Sequence, residues 1–368
     1  MKITYDDQVD AIYIRLLDGP YQCRTVRLSD VVALNIGLGE EIVGIEILDA
    51  RKTLHFRDEP EIDLANLKSF PIAERRHKVT LEDLAAPAGP EAALGEFFES
   101  LPATPATKGL AGLARAVADA VRNDAPVAVA FGGHVVKCGL GPVLIDLMER
   151  GIVTVVATHG AGAIHDLELA FHGETSEDPA ATMRDGRFGM VEETPGYLND
   201  AALLGRHRGL GQAIGDLVNE AATEFPHAAQ SVLAAASRLD CLATVHVAIG
   251  TDTWHMHPEA DGAAIGEASM LDFRKLCSAV ADMADGVWIN VGSAVILPEV
   301  FMKAYTVATN LGAKLQNMVT ANLDQIQHYR PRENVLARPT DRGIALTGRH
   351  EFLIPLVRHR ILMELESR

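Results

Sequence analysis

The sequence has few cysteines and no long apolar run. Its four cysteines, Cys23, Cys138, Cys241 and Cys277, form no C-x-x-C pair and are too sparse for a disulfide framework. We interpret them as thiols of a reducing compartment. No stretch approaches 18 uninterrupted apolar residues, so we expect no membrane span. The first residues lack the basic and apolar segments of a signal peptide. Together these absences predict a cytoplasmic protein.

Positive charge is also scarce. The chain has 33 Lys and Arg against 50 Asp and Glu, which gives a formal net charge of −17 at pH 7. This balance argues against nucleic acid as a partner, because phosphates are neutralised by an excess of Lys and Arg. An acidic protein would instead suit a cationic small molecule such as an amine. We therefore expect a small-molecule amine substrate, with neither a nucleic acid nor a membrane as partner.

The first part of the chain is rich in β-branched residues and short turns. Residues 57–107 differ from it in being rich in Pro, Ala and charge, and we interpret them as a linker with short helices that pack onto the main domain or onto a neighbouring subunit. The segment before this linker resembles a small bacterial domain family of unknown function and contains no candidate catalytic cluster. A small β-meander that ends in a short helix is predicted over residues 1–56, from apolar or alternating runs at 1–5, 11–16, 25–27, 31–36 and 42–48.

From residue 108 onward, apolar runs alternate with helical patterns. Near-continuous apolar strands between helices indicate a parallel sheet with helices on both faces, so we predict a Rossmann-like α/β domain over residues 108–368. Glycines at several strand ends place the ligand crevice at the carboxyl edge of this sheet. The predicted strands are 127–131, 153–158, 243–249, 287–291 and 314–319, and the predicted helices include 142–150, one from about 164, 270–284 and 298–311.

Two glycine-rich turns follow the first two strands of this series. Gly132, Gly133 and His134 follow the first strand, and the segment 158–162 ends the second. Glycines at a strand end let the backbone approach a phosphate, and the N-terminus of the next helix favours an anion. The spacing is not G-x-G-x-x-G, and each turn taken alone is equally consistent with a tight strand–helix connection. Two such turns on neighbouring strands favour phosphate binding.

These turns and the segments after them resemble the deoxyhypusine synthase family over residues 109–360. The resemblance implies an NAD-binding fold with a deep amine pocket, and a homotetramer whose sites lie between subunits. The matching segments after the turns are DGRFGMVEE (185–193), ADGAAIGE (260–267), GSAVILPEVFMKA (292–304) and VTANLDQIQHYRPRENV (319–335).

The resemblance also implies roles for individual residues. Glu333 falls on an acidic position that contacts the amine in the family, and Asp261 falls on the family's Asp-Gly segment together with Gly262. The remaining implied positions would bind NAD: they are Gly132, Gly133 and His134 in the first loop, Thr158, Gly160, Ala161 and Gly162 in the second, and Thr320 and Ala321 in the last.

One catalytic feature of that family is missing. Its members carry a Trp-Gly-Lys triplet soon after the glutamate, and the lysine forms an imine with the butylamine fragment. This chain has Ala337, Arg338 and Pro339 there instead. A guanidinium stays protonated and forms no imine, so Arg338 cannot replace the lysine. Lys137 is the best placed alternative, although it can equally be an ordinary partner of a phosphate or carboxylate.

Several acidic and histidine side chains are candidates for the amine site. Carboxylates near the crevice would hold an ammonium group and could exchange protons with His165 or His255. Each of these carboxylates can also be a helix cap or part of a turn. We take Lys137, Glu333, His165 and Asp261 as the catalytic candidates. The acidic set is Asp261, Glu267, Glu299, Asp324 and Glu333.

Residues 251–258 form a second polar segment after a predicted strand. His255 and His257 with Asp252 could hold a metal, line a substrate pocket or serve the fold alone. The spacing is far less specific than H-E-x-x-H, and we include no metal in the predicted site. Cys138 lies beside glycines at a helix start, where a nucleophile could sit, although a small buried residue is the simpler interpretation.

Two classes of function fit these features. The first is an NAD-dependent enzyme that oxidises a small amine, polyamine or basic amino acid to an imine, as an aminoalkyl transferase or an ornithine cyclodeaminase-like lyase. The absent lysine argues against a true deoxyhypusine synthase. The second is an NAD- or nucleotide-binding regulatory or sensor protein without turnover.

Overall fold

The computed structural model describes residues 1–55 and 67–367. The chain divides into two compact units, Met1–Lys78 and Val79–Arg368. Part of the predicted linker, residues 57–66, lies outside the described residues. Its second half belongs to the second unit, where the helix α2 (Leu94–Ser100) buries Phe98.

The first unit is a five-stranded antiparallel sheet followed by the short helix α1 (Ala50–Thr53). A small core forms where Ile12, Ile47 and Ala50 pack together with Ile14 and Ile45. The strand order β1-β2-β5-β4-β3 departs from a meander, because β5 lies between β2 and β4. The strands are β1 (Lys2–Asp6), β2 (Ala11–Arg15), β3 (Cys23–Arg27), β4 (Val32–Gly37) and β5 (Ile42–Ile47).

The second unit is built on a six-stranded sheet in which every neighbouring pair is parallel. Its strand order is β11-β10-β9-β6-β7-β8. The chain thus moves outward from the central β6 through β7 to β8, and then returns to the other side of β6 to add β9, β10 and β11. The strands are β6 (Val127–Phe131), β7 (Val155–His159), β8 (Leu242–His246), β9 (Val287–Val291), β10 (Val319–Asp324) and β11 (Gly343–Thr347).

Helices cover both faces of this sheet, which confirms the predicted α/β class. On one face Trp288 stacks on Phe301, with ring centroids 4.2 Å apart, within a core that also contains Leu276. No helix in the described part of the chain is long and apolar enough to cross a membrane. The remaining helices are α3 (Pro105–Arg122), α4 (Gly133–Lys137), α5 (Gly141–Glu149), α6 (Gly160–Phe171), α7 (Pro179–Thr182), α8 (Glu193–Gly205), α9 (Leu210–Glu220), α10 (Val232–Arg238), α11 (Gly262–Ala281), α12 (Ile296–Asn310) and α13 (His350–Glu366).

Two buried carboxylates tie these helices to one another. Asp166 of α6 accepts hydrogen bonds from the Ser231 hydroxyl (2.6 Å) and from the backbone N–H of Val232 (2.7 Å), so it caps α10. Asp272 of α11 accepts from the N–H of Gly211 (2.8 Å) in α9 and of Val245 (2.7 Å) in β8. Burial raises the pKa of Asp272 to about 7. These acids hold the fold and lie outside the predicted site.

The predicted C-terminal elements differ from the structure. The strand expected at 314–319 is instead β10, which begins at Val319. Asn317 has a left-handed backbone (φ 59°) and turns the chain just before the strand, so 314–319 cannot be extended throughout. The edge strand β11 was not predicted. α6 begins at Gly160, earlier than the predicted start at about 164.

Candidate functional site

The strand order reverses between β6 and β9, and the loops after these two strands lie against each other. The Gly132 N–H donates to the Val291 carbonyl (2.9 Å), and a β-carbon on Gly132 would overlap the Gly292 carbonyl. Gly292 has φ +61° and donates its N–H to the Leu323 carbonyl (3.0 Å) at the end of β10. Bare backbone therefore forms the floor of the sheet edge at this reversal point.

A histidine from the C-terminal helix covers this floor. His350, the first residue of α13, is buried, and its Nε2 lies 3.3 Å from the Leu323 carbonyl and 3.9 Å from Oδ1 of Asp324. A carbonyl can only accept, so Nε2 of this imidazole carries a hydrogen. A β-carbon on Gly292 would come within 2.9 Å of the ring, so glycine is required beneath it.

The first predicted loop continues into α4 beside this histidine. The His134 ring packs edge-on against the His350 ring, with centroids 5.6 Å apart, and its Nε2 lies 3.3 Å from Sγ of Cys138. Burial raises the pKa of the Cys138 thiol, which disfavours the thiolate that a nucleophile requires. Lys137 is exposed at the end of α4. Among the residues that the structure describes, its ammonium group has no ion pair.

The second predicted loop is filled from inside the protein. A β-carbon on Gly160 would overlap the carboxylate of buried Asp252. Thr158 donates its hydroxyl to the Phe131 carbonyl (2.8 Å), and Gly162 leaves room for that hydroxyl. These glycines are thus explained by internal packing. A phosphate at the start of α6 would have to replace the Asp252 carboxylate.

Histidines cluster near this second loop. His159 and His246 are paired in register at the ends of β7 and β8, and burial lowers the pKa of His159 to about 4 and that of His246 to about 3. His165 lies beside the first loop, with Cδ2 3.0 Å from where a β-carbon on Gly133 would be. Its Nδ1 is 2.8 Å from the Thr175 hydroxyl, which itself donates to Glu168. His165 is therefore close to the reversal point but already hydrogen-bonded.

The second polar segment holds a short helical turn in place. Nδ1 of His255 accepts the backbone N–H of Gly250 (3.1 Å), and the buried Trp254 ring lies 4.7 Å from the His255 ring. Within residues 1–55 and 67–367, no group of three or more His, Cys, Asp or Glu is arranged to hold a metal ion. A role in the fold alone accounts for these contacts of residues 251–258.

The predicted acidic set does not converge. Asp261 caps α11, since its Oδ1 accepts the N–H of Ala263 (2.8 Å) and of Ala264 (3.2 Å), and Gly262 is the exposed first residue of that helix. Glu299 pairs with Lys303 and Arg330, and Glu267 pairs with Arg206. Glu333 lies in a π-helical segment, 3.3 Å from Arg332. Of the five acids, Asp324 is the one at the edge of the reversal point.

Thr320 and Ala321 require a correction. Both were expected in a loop, but they lie in the buried first half of β10, paired with Trp288 and Ile289 of β9. The turn at Asn317 places the start of β10 at Val319, and the strand then continues to Asp324. The residues near the end of the strand are Asn322 and Asp324. Nδ2 of Asn290 in β9 donates to Oδ1 of Asn322 (2.7 Å), which fixes the two strand ends together.

Sequence reasoning missed His350, Gly292 and Asn290 at this edge. Gly292 and Ser293 directly follow a strand that was predicted correctly, so their position was a usable signal. His350 had no such signal, because it follows a short edge strand that was not recognised.

Comparisons with known proteins place only the N-terminal segment in a family. The family model of DUF2283, a protein of unknown function, matches residues 2–51. This match agrees with the resemblance of residues 1–56 to a small domain family of unknown function. None of the curated proteins matches the sequence.

Solved structures resemble 70–74% of the chain at low identity. A LOR/SDH protein from Methanococcus maripaludis S2 is 15% identical with a TM-score of 0.47, over 71% of this chain and 70% of its own. AgrE, solved with ornithine and NAD+, is 13% identical with a TM-score of 0.46, over 70% of this chain and 33% of its own. A candidate deoxyhypusine synthase from Entamoeba histolytica is 12% identical with a TM-score of 0.44, over 74% of this chain and 94% of its own. At these values we draw no functional conclusion from them.

Proposed function

We propose that this protein is an enzyme that binds NAD at the reversal point and oxidises a small amine or basic amino acid to an imine. One observation carries the proposal: the strand order β8-β7-β6-β9-β10-β11 is that of the dinucleotide-binding Rossmann sheet. In such sheets the dinucleotide lies outside the carboxyl ends of the strands, where the strand order reverses. Here that place is between β6 and β9.

The residues at this edge fit a dinucleotide. Gly132 and Gly292 let the loops after β6 and β9 lie in contact there, and α12 begins directly after the β9 loop. Within the described ranges, no carboxylate caps the N-terminus of α12 in the way that Asp261 caps α11, and the Leu297 N–H is held by the Ser293 hydroxyl (3.3 Å). We assign the cofactor phosphates to this helix start, because the N-terminus of a helix favours anions. When bound, the nicotinamide ring supplies a hydride acceptor.

An amine suits the side chains around the reversal point. Asp324 is a buried acid at the end of β10, and Glu351 follows His350 in α13. Both would attract an ammonium group. The position of the family's imine-forming lysine is taken by a segment in which Arg338 donates to Oδ1 of Asn334 (2.6 Å). Oxidation to an imine followed by ring closure needs no enzyme lysine, so it is favoured over aminobutyl transfer.

Direct binding and turnover measurements test the proposal. Purified protein is titrated with NAD by calorimetry, and then incubated with NAD and a panel of diamines, ornithine, lysine and arginine. Reduced-nicotinamide absorbance and product masses are followed. NAD binding with a new imine-derived product supports the enzyme. NAD binding without any product points instead to a nucleotide-binding sensor, and absence of NAD binding rejects both.

Assembly as a homotetramer, with sites between subunits, is part of the proposal. Light scattering on the purified full chain measures it. A monomer that binds NAD with full affinity would remove the shared sites from the proposal and leave the cofactor site in place.

A further inference from the structure

His134 stands at the edge of the reversal point with its imidazole exposed. It is the second residue of α4, which starts directly after β6, and the neighbouring Val135 and Val136 are buried. Its ring touches His350, and His350 lies over Gly292 and beside the end of β10. His134 is therefore a solvent-accessible imidazole in contact with the residue that covers the reversal point.

Oxidation of an amine needs a proton acceptor before it needs a hydride acceptor. At neutral pH an alkyl amine is an ammonium ion, whose nitrogen has no lone pair. That nitrogen must lose one proton, because its lone pair becomes the second bond of the imine as the carbon loses its hydride. A neutral imidazole near the amine is the side chain suited to this step at neutral pH.

We infer that His134 accepts this proton from the substrate ammonium, and that His350 positions it. This inference rests on the proposed function. The substrate, a primary ammonium ion, gives one proton to the imidazole, and the resulting neutral amine gives a hydride to NAD+ from the carbon that bears the nitrogen. That C–H bond breaks, the nitrogen lone pair forms the second C–N bond, and the products are an iminium ion, NADH and a protonated His134. His134 then passes its proton to solvent, to which it is exposed.

The other histidines of this edge are less suited to the task. His350 is buried and its N–H faces the Leu323 carbonyl, so it is held in one orientation without access to solvent. His165 is occupied by Thr175, and His246 is buried against Thr244 at 3.0 Å. His134 differs in combining exposure with a place beside the bare backbone of the reversal point.

The surroundings of His134 favour its neutral form. Partial burial lowers its pKa first, and the neighbouring His350 and Lys137 lower it further, while Glu351 and Asp324 act in the opposite direction. The pKa therefore lies below the ordinary histidine value, and the imidazole is ready to accept a proton at pH 7. The charged or titratable groups that face it are Lys137 and Cys138 on its own element, His350, Glu351 and Arg349 around the start of α13, and Asp324 on β10.

Histidine spectra give a readout that does not depend on turnover. The protein is labelled at histidine Cε1 with carbon-13, and the His134 signal is assigned by its loss in His134→Asn. In the presence of NAD, we expect ornithine or 1,4-diaminobutane to shift this signal. The His350→Asn variant should raise the pKa of His134, because it removes a neighbour that lowers it. An unchanged His134 signal on adding every amine of the panel would overturn the inference.

Kinetics on the same variants give the second readout. His134→Asn should lower kcat by about 100-fold, the usual scale of general-base catalysis, and added imidazole should restore part of it. His207→Asn, which changes an exposed histidine after α8, is the matched control. In His350→Asn the acid limb of the kcat profile should move to higher pH. Full activity of His134→Asn would reject the role of His134 while leaving the proposed function intact, whereas absence of NAD binding by the wild type rejects the proposed function itself.

Discussion

The carboxylate of Asp252 lies against Gly160, where it occupies the space that a β-carbon on that glycine would need. Gly160 is the first residue of α6, so this carboxylate lies at the start of that helix. An acid from the segment after β8 thus fills the helix start at which a phosphate was expected. Burial raises the pKa of Asp252 to about 6, so the ionised carboxylate destabilises the folded protein at neutral pH.

Asp252→Asn should therefore stabilise the protein at pH 8. The folded-state pKa is raised above the unfolded value, so the ionised form destabilises the fold above about pH 6, and this penalty fades as pH falls toward 4. We expect a gain of about 1–3 kcal/mol in the free energy of unfolding at pH 8, after discounting for partial exposure, and little change at pH 4. Urea unfolding at both pH values measures it, with exposed Glu259→Gln as control. A loss of stability at pH 8 would show that favourable contacts of the carboxylate outweigh the cost of its burial.

Gly160→Ala should destabilise the second unit by about 1–3 kcal/mol, because the added methyl overlaps the Asp252 carboxylate. Asp252→Ala should relieve most of this cost, so the two changes together cost less than their sum. Urea unfolding of both single variants and the double variant gives the coupling energy. Gly196→Ala in α8, where a β-carbon meets nothing within 4 Å, is the matched control. Strict additivity would mean that the overlap is relieved in another way.

Asp166→Ala should lower the free energy of unfolding by about 2–4 kcal/mol. It leaves the Ser231 hydroxyl and the N–H groups of Val232 and Leu233 without their acceptor in the interior. Asp119→Ala, which removes an exposed ion pair with Arg122 (3.2 Å), should cost far less. Equal losses for the two variants, measured by chemical denaturation, would contradict the capping role of Asp166.

Gly132→Ala should weaken NAD binding by at least about tenfold, or about 1.4 kcal/mol. The added methyl forces the loop away from the Gly292 carbonyl and so opens the floor of the proposed cofactor site. Gly266→Ala, in α11 with no atom within 4 Å of the new carbon, should leave NAD affinity unchanged. Calorimetry measures both, and circular dichroism confirms that the variants are folded. Wild-type affinity in a folded Gly132→Ala protein would place the cofactor elsewhere.

The central strands were predictable because they are buried on both faces. Val127–Phe131 and Val287–Val291 match their predicted bounds, since the first is an unbroken apolar run and the second is apolar except for Asn290. The strand β10 was predicted too early in the sequence, because the left-handed turn at Asn317 leaves little trace in the apolar pattern. β11 was missed because an edge strand needs only Leu346 to be buried.

The candidate site was predictable in its location and less so in its contacts. Glycines at strand ends drew attention to the sheet edge where Gly132 and Gly133 lie. The contact between Gly160 and Asp252 joins distant parts of the chain, so no local pattern could reveal it. Asp261 illustrates the same limit, because the sequence does not distinguish a helix-capping acid from a ligand-binding one. In the structure Asp261 caps α11.

The central position of β6 also has a consequence for how the chain folds. β6 pairs on one side with β7, which follows it closely, and on the other with β9, which is synthesised only after β8 and α11. One edge of the most buried strand therefore waits unpaired on the ribosome while much of the unit is still to be made. Pairing between such distant segments is slow, and an open apolar edge invites association with other chains. Completion of β9 is thus the step that covers the open edge of β6 in the growing chain.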